Sequence, residues 1–249
     1  MKLEGSVAIV TGAARGIGQT YTLRLVAEGA NVVAADVLDC SETAKLAGAN
    51  SDRVLPVRVD VTDYGSVEGM VEAAMERFGR VDTLVNNAAL FGNLKRQPAE
   101  EIPLDEWDTI LSINVKGVFL CCRAVLPIMR EQGSGRIINV SSGTVFRATA
   151  NLAHYIASKG AVTALTKALA VEWGQYGILV NAIAPGHTMS EMVRGRMTEE
   201  QVQRTGTGRA IARPEVPEDL AGTIVFLASA DSAFITGQTF VVDGGAVMR

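Results

Sequence analysis

The thirty residues from Val7 to Asp36 constrain this chain more than any other stretch. Val7-Ala8-Ile9-Val10 is a short, largely β-branched run that leads directly into Thr11-Gly12-Ala13-Ala14-Arg15-Gly16-Ile17-Gly18. An amphipathic helix follows, with Tyr21, Leu23, Leu25 and Val26 among its apolar positions, and ends near Gly29. A second strand, Asn31-Val32-Val33-Ala34-Ala35-Asp36, closes on an acid eighteen residues after Gly18. Strand, glycine-rich turn, helix and acid-terminated strand is an arrangement that binds dinucleotides. Glycines let the backbone approach a pyrophosphate, and the helix N-terminus offers unpaired N–H groups and the positive end of its dipole. The spacing is Gly-x-x-x-Gly-x-Gly rather than Gly-x-Gly-x-x-Gly, and alone it would also suit a tight turn. Its place between a strand and a helix, with Asp36 beyond, favours the nucleotide. Gly12, Arg15, Gly16, Ile17 and Gly18 are the predicted contacts.

Asp36 decides which dinucleotide. A carboxylate there accepts hydrogen bonds from both ribose hydroxyls and repels a 2′-phosphate. Val37 follows it, so no basic side chain waits at that point for a phosphate. Arg15, a cation beside the second glycine, pulls toward NADP. The repelled phosphate carries more weight, and NAD is the predicted cofactor.

The strand–helix alternation continues to the end of the chain. Val54 to Val59 reads as a strand ending at Asp60-Val61, and a helix runs from about Tyr64 to Phe78. Val81 to Val85 leads into Asn86-Asn87-Ala88-Ala89, and a long helix from Leu104 to about Met129 carries Asn114, Gly117 and Pro127. Strands at Arg136–Val140, Ile178–Ile183 and Thr239–Val242, with a helix at Pro217–Ala228, complete the pattern. This predicts an α/β fold: a Rossmann-type doubly wound parallel sheet of about seven strands with helices on both faces. No linker, repeat or low-complexity tract divides it. One domain over 1–249 is expected, with the cofactor half at about 1–140 and the catalytic and substrate half at about 141–249.

Composition excludes several function classes. With 48% hydrophobic residues the chain has material for a large core, and its net charge of −4 argues against nucleic-acid binding. No apolar run reaches the roughly eighteen residues of a membrane span. The N-terminus enters the first strand without an apolar leader, so no signal peptide is expected. Cys40, Cys121 and Cys122 form neither metal spacing nor an even disulfide set. They read as reduced packing residues of a cytoplasmic protein.

A second constellation lies in the other half. Tyr155 and Lys159 are four residues apart, so on a helix they share one face. An ammonium near a phenol favours the phenolate and brings a group with a pKa of about 10 toward useful proton transfer. Ser142 lies thirteen residues before the tyrosine, at the C-terminal end of a strand, where open α/β sheets place ligands. Tyr-x-x-x-Lys alone is a common helix face; the serine and the distant glycine loop make chemistry the better reading.

With these residues placed, nearly the whole chain resembles the short-chain dehydrogenase/reductase family. The resemblance rests on Thr11 to Gly18, Asp60-Val61, Asn86-Asn87-Ala88, Asn114, Ser142/Tyr155/Lys159 and Pro185-Gly186, all in the family's order. It implies Tyr155 as general acid/base, Ser142 as hydrogen-bond partner of the substrate oxygen, and Lys159 as the group that lowers the tyrosine pKa and binds the nicotinamide ribose. Asn114 would interrupt its helix and hold a water in a proton relay. Asp60 and Val61 look like adenine contacts, Asn87 a ribose-side contact, and Thr188 a backbone partner of the carboxamide. Ala89 and Ser190 stand where the family usually has glycine and threonine, and neither change removes a needed group. A homo-oligomer, tetramer or dimer, is implied, with Val118–Cys122 and Ala161–Leu165 as apolar stretches that would serve either interface or core.

The implied reaction is hydride transfer between NAD(H) and a secondary alcohol or ketone. Leu90–Leu94, Thr144–Leu152 and Thr188–Met197 are the predicted pocket segments. Phe91, Val145, Phe146, Leu152, Met189, Met192 and Val193 suggest a small or medium, partly apolar substrate. Arg96, Arg147, Arg194 and Arg196 would anchor an acid or lie in solvent. His154 points about 100° away from Tyr155 and reads as packing or surface, and His187 as loop surface or substrate contact. Two histidines so placed make no metal site. The rival readings are an NADPH-dependent 3-oxoacyl thioester reductase, favoured by Arg15, and a non-catalytic NAD-binding sensor, disfavoured by the complete Ser/Tyr/Lys set.

Overall fold

In a computed structural model of the chain, residues 1–91 and 94–248 are described. Among them, strands β1 (Val7–Thr11), β2 (Asn31–Asp36), β3 (Val54–Arg58), β4 (Thr83–Asn86), β5 (Gly135–Val140), β6 (Ile178–Pro185) and β7 (Thr239–Val242) pair in one parallel sheet. Their order is β3-β2-β1-β4-β5-β6-β7, so the winding reverses between β1 and β4. The helices of the first half are α1 (Gly16–Ala27), α2 (Ser41–Leu46), α3 (Tyr64–Phe78), α4 (Leu104–Leu111) and α5 (Gly117–Gln132). Those of the second are α6 (Thr144–Arg147), α7 (Ala153–Trp173), α8 (Glu191–Arg194), α9 (Glu199–Arg204) and α10 (Pro217–Ala228).

Period-two alternation along each strand supplies two cores. Ile9, Val33, Leu84 and Ile137 pack with Met70 of α3, Val125 of α5 and Val162 of α7. Their neighbours Ala8, Val10, Val32, Val85 and Ile138 point to the other face, against Tyr21 and Leu25 of α1 and Leu220 and Ile224 of α10. Each buried Val, Leu or Ile contributes about 1.5–3 kcal/mol relative to exposure, and the strands are apolar on both sides because both sides are covered. Helix ends follow local chemistry: Asp63 Oδ1 accepts from the Gly65 N–H at 3.0 Å to start α3, and Gly79, at φ +75°, ends it.

The predicted long helix is a continuous run, Leu104–Gln132, in which α4 and α5 are joined by a single π turn at Ser112–Lys116. Asn114 lies in the middle of that π turn, in agreement with the expected break in helical bonding. With a mean hydropathy of 1.6 in its most apolar window, this 29-residue helix is long and apolar enough to cross a bilayer by length and composition. That corrects the expectation that no stretch reaches such a length. The helix is nonetheless part of the sheet's cover: Val118, Cys121, Cys122, Val125 and Met129 sit in the core. Val118, Leu120, Cys121 and Cys122 are therefore core residues, and only Phe119 of that apolar stretch faces outward. The three thiols are buried and unpaired.

Candidate active site

A cleft of about 800 Å³ opens above the C-terminal ends of the central strands, at the reversal point between β1 and β4. Gly12, Arg15, Gly16, Ile17, Gly18, Asp36, Asp60, Val61, Asn87, Ser142, Tyr155, Lys159 and Thr188 all line it. Of the predicted catalytic and cofactor-binding residues, Asn114 alone does not.

One end of the cleft is made by the glycine turn. A Cβ on Gly12 would lie 2.8 Å from Asn87 Nδ2 and 2.9 Å from Ala88 Cα, and Gly12 has φ +68°. A Cβ on Gly18 would lie 2.5 Å from Asn87 Nδ2. The Asn87 amide explains this crowding: it donates to the carbonyls of Thr11 (2.9 Å) and Gly12 (3.1 Å), tying the end of β4 to the turn. Thr11 Oγ1 accepts from the N–H groups of Asn87 and Ala88, both at 3.1 Å. Helix α1 then begins with no side-chain cap and no acid in its first turn, so its first N–H groups face the cleft without a competing carboxylate. A backbone cradle that a Cβ would fill, at an uncapped helix N-terminus, fits a dinucleotide pyrophosphate.

Asp36 is fixed beside this cradle. Its Oδ2 accepts from Ala14 N–H at 3.1 Å and its Oδ1 from Leu38 N–H at 3.0 Å. Arg15 is exposed on the same rim. Asp60 Oδ1 accepts from the Thr62 amide (2.9 Å) and hydroxyl (2.7 Å), which hold its carboxyl below the usual range. Val61 packs over Gly117, where a Cβ would meet Val61 Cγ2 at 2.8 Å.

The other end gathers Ser142, from the segment after β5, with Tyr155 and Lys159 of α7, all buried. Lys159 Nζ donates to the Val140 carbonyl at 2.8 Å and lies 6.0 Å from the Tyr155 ring centre. Burial pushes Tyr155 up to about 12, with the Ser142 hydroxyl pulling the other way, and pushes Lys159 down to about 8. The expectation that Lys159 lowers the tyrosine pKa is thus not met by the chain alone. Spacing put the two on one face, but the dry surroundings disfavour the charged form of each. Ser142 Oγ accepts from Thr144 Oγ1 at 2.9 Å and Thr144 N at 3.3 Å. Both lone pairs are thereby occupied, which leaves the Ser142 hydrogen to be donated elsewhere.

Asn114 stands behind this group. Its Oδ1 accepts from Leu90 N–H at 2.7 Å, and its Nδ2 donates to the Leu90 carbonyl (3.3 Å) and Ser158 Oγ (3.1 Å). Ser158 Oγ donates to the Tyr155 carbonyl at 2.7 Å, so Asn114 ties the segment after β4 to the tyrosine's own helix turn. Its side-chain amide is committed to these bonds. Ala89 has no left-handed backbone, so alanine is accommodated there without strain. Ser190 faces the turn, with its Cβ at 3.4 Å from a Cβ built on Gly16.

The substrate segments are partly as expected. Phe91, Leu152, Met192 and Val193 line the cleft, whereas Val145, Phe146 and Met189 do not. Gly92 and Asn93, within the predicted Leu90–Leu94 segment, lie outside the described residues. Arg96 and Arg147 reach the cleft, while Arg194 pairs with Glu199 at 3.2 Å outside it. His187 lines the cleft, and buried His154 instead holds Glu106 at 2.8 Å. Sequence reasoning missed Arg209, Ala246 and Val247 as cleft residues. It also missed the lock beneath Pro185-Gly186: Thr188 Oγ1 donates to Glu215 Oε1 at 2.6 Å, and Glu215 pairs with Arg209 at 3.3 Å, the two side chains being 3% and 5% exposed. The Gly186 cue was present, since a Cβ there would lie 2.5 Å from Glu215 Oε2.

Over residues 12–247 the chain matches a family model described as enoyl-(acyl carrier protein) reductase. It is 39% identical over 243 residues to 2-(R)-hydroxypropyl-CoM dehydrogenase of Xanthobacter autotrophicus, covering 96% of this chain and 97% of that one. Levodione reductase of Leifsonia aquatica is 39% identical over 254 residues, covering 96% and 93%. Among solved structures, 3-ketoacyl-(acyl-carrier-protein) reductase from Brucella melitensis complexed with NADH matches with a TM-score of 0.89 at 36% identity, covering 99% of this chain and 100% of that chain.

Proposed function

Because the chain belongs to the short-chain dehydrogenase/reductase family, and is thereby an oxidoreductase of CH–OH and keto groups, we propose that it transfers hydride between NAD(H) and a small or medium, partly apolar secondary alcohol or ketone. The observation that carries this reading is one continuous cleft with Ser142, Tyr155 and Lys159 at one end and the glycine cradle with Asp36 at the other. When bound, the nicotinamide supplies the hydride acceptor or donor.

The chain's own residues orient the substrate and manage the proton. Tyr155 takes the hydroxyl proton at its phenolate oxygen in oxidation and returns it to the ketone oxygen in reduction. Ser142 donates its remaining hydrogen to the same oxygen, held in that role by Thr144. Lys159, anchored on Val140, presents its other N–H groups to the nicotinamide ribose. Asn114 acts through Leu90 and Ser158, keeping the Tyr155 turn in place; a relay water there would use the backbone of the π turn, since its side chain is engaged. Gly12, Gly16, Ile17 and Gly18 approach the pyrophosphate, Asp60 and Val61 the adenine, and Thr188 the carboxamide. Asn87 shapes the ribose side from beneath by holding the turn.

NAD is favoured because the Asp36 carboxylate is pinned beside the cradle by two N–H groups, where a 2′-phosphate would be repelled. That the Brucella relative is complexed with NADH supports the same choice. The second reading, an NADPH-dependent 3-oxoacyl thioester reductase, draws on Arg15 and on the likeness to that reductase. A homo-oligomer is the expected assembly, with Phe119 of α5 and Val171 of α7 as exposed apolar residues for it. Light scattering would read its size.

The test follows reduced-nicotinamide absorbance while the protein oxidises a panel of secondary alcohols with NAD⁺ or NADP⁺, beside a Tyr155→Phe control. Turnover with NAD⁺ that is lost in the control is expected. Turnover with NADP⁺ alone would move the reading to the thioester reductase and make Arg15 the selector.

A further inference from the structure

The substrate end of the cleft carries positive charge that the chain does not balance. Arg96, in the segment after β4, and Arg147, the last residue of α6, both line it. A third arginine, Arg209, is neutralised by Glu215. Among the described residues no ion pair uses Arg96 or Arg147. The acids of the cleft are engaged elsewhere: Asp36 and Asp60 serve backbone groups at the nucleotide end, and Asp243 accepts from Gly245 and Ala246. His187 reports the resulting field. Burial, then the charges of Arg96, Arg209 and Arg147, hold its imidazole below the usual value.

Both arginines are exposed, as long charged side chains ordinarily are, but the backbone that bears them is fixed. Gln97, buried beside Arg96, donates its amide to the Asn151 carbonyl at 3.2 Å and its Nε2 to Glu106 Oε1 at 3.5 Å. The same carboxylate oxygen lies 2.8 Å from His154 Nε2, next to Tyr155. Ala148, directly after Arg147, has φ +52°, and Asn151 has φ +66°. A left-handed alanine is rare and persists where its surroundings over-determine it, most often at ligand sites. Phe91, whose ring centre lies 4.8 Å from that of Tyr155, and Leu152 add apolar wall to the same cleft.

We propose that Arg96 and Arg147 form an anion subsite, and that the substrate is a secondary alcohol or ketone bearing a carboxylate or sulfonate away from its reacting carbon. The proposal rests on the dehydrogenase reading for the reacting group. Guanidinium forks match planar carboxylates and sulfonate oxygens, and an apolar stretch between anion and alcohol suits the wall around Phe91.

Binding is read first, so that the test stands apart from turnover. With NAD⁺ in excess, a cofactor form from which a ketone can take no hydride, calorimetry compares straight-chain methyl ketones ending in carboxylate or sulfonate with their neutral amides. The anions are expected to bind at least about ten-fold more tightly. In the Arg96→Gln/Arg147→Gln double variant that ratio is expected to fall below about two-fold. Raising the ionic strength on the unaltered protein is expected to erode the ratio, which keeps the test independent of how well the variant folds. Amides that bind as well as the anions, or an advantage indifferent to salt and to both substitutions, would overturn the subsite. So would arginine-dependent binding of acetoacetyl-CoA with no preference among the small ketones, since the anion would then belong to a thioester carrier. An arginine-dependent anion preference in binding, with no alcohol of the series oxidised by either nucleotide, would support the subsite and overturn the dehydrogenase reading instead.

Discussion

The two ends of the cleft are built by opposite means for the ligands proposed for them. At the proposed nucleotide end the lining is largely backbone: the Gly12–Gly18 turn and the uncapped start of α1, beside an aspartate pinned by two N–H groups. At the proposed substrate end the lining is side chain: Phe91 and Arg96 on the segment after β4, Arg147 at the end of α6 and Met192 in α8. A backbone surface depends on the absence of side chains, so almost any substitution destroys it. A side-chain surface can be rewritten residue by residue on an unchanged frame, which is how one fold serves many substrates. Tyr155 joins the two regimes, being a side chain whose place is fixed by the frame.

The largest effect is expected where the regimes meet. Tyr155→Phe keeps the ring on Phe91 and removes the proton carrier, and kcat/KM should fall about 10³-fold. With the phenol pushed up to about 12 by burial, the protein alone holds it protonated near neutral pH. Alcohol oxidation, which needs the phenolate, should therefore rise with pH, by up to about ten-fold per unit below the apparent pKa. Ketone reduction, which needs the phenol, should not. An oxidation rate flat from neutral to alkaline pH would remove Tyr155 as the base. Next in size is Gly18→Ala, whose Cβ would press on Asn87 Nδ2 at 2.5 Å. Overpacking of about 1–3 kcal/mol at the cradle should weaken NADH binding up to about a hundred-fold. Gly69→Ala, in α3 with open space around it, is the contrast and should raise stability by about 0.5–1 kcal/mol. If calorimetry finds NADH affinity unchanged in the Gly18 variant, the backbone-cradle account of that end fails.

The same division governs what the sequence reveals. Alternating apolar strands and amphipathic helices mark a covered parallel sheet, and each strand of it was legible to within a few residues. Helix α2 and the short helices α8 and α9 were not, because four to six residues are too few to show a helical period. Glycines placed by steric need, such as Gly12 and Gly18, are visible in the chain itself. Arg209 and Glu215 are not, because their meeting with Thr188 is set by how the segments after β6 fold back, and no spacing rule encodes that. Tyr155 shows the remaining limit: four-residue spacing states which groups are neighbours but says nothing of how dry their surroundings are, and dryness set the sign of the pKa shift.

Asp36 sharpens the comparison at its one charged point. Asp36→Ala leaves every glycine of the turn in place and removes the repulsion at the ribose, together with the carboxylate's bond to the Ala14 N–H. The NAD-over-NADP preference in kcat/KM should shrink by about ten-fold, chiefly through KM. An unchanged preference would transfer the choice to Arg15.

The smallest effect probes whether a side-chain site can be as preorganised as a backbone one. Thr144 touches Ser142 through its hydroxyl and its amide, and only the hydroxyl can be removed by substitution. In Thr144→Val the Ser142 oxygen regains a free lone pair, so its hydrogen is no longer committed to the substrate. One neutral hydrogen bond is worth about 0.5–1.5 kcal/mol, so kcat should fall about three- to ten-fold with KM nearly constant. Thr144→Ser restores the hydroxyl without the methyl group and should restore kcat. Recovery in serine but not valine would tie the loss to the hydrogen bond, whereas equal losses in both would make Thr144 a packing residue and leave Ser142 oriented by the backbone amide alone.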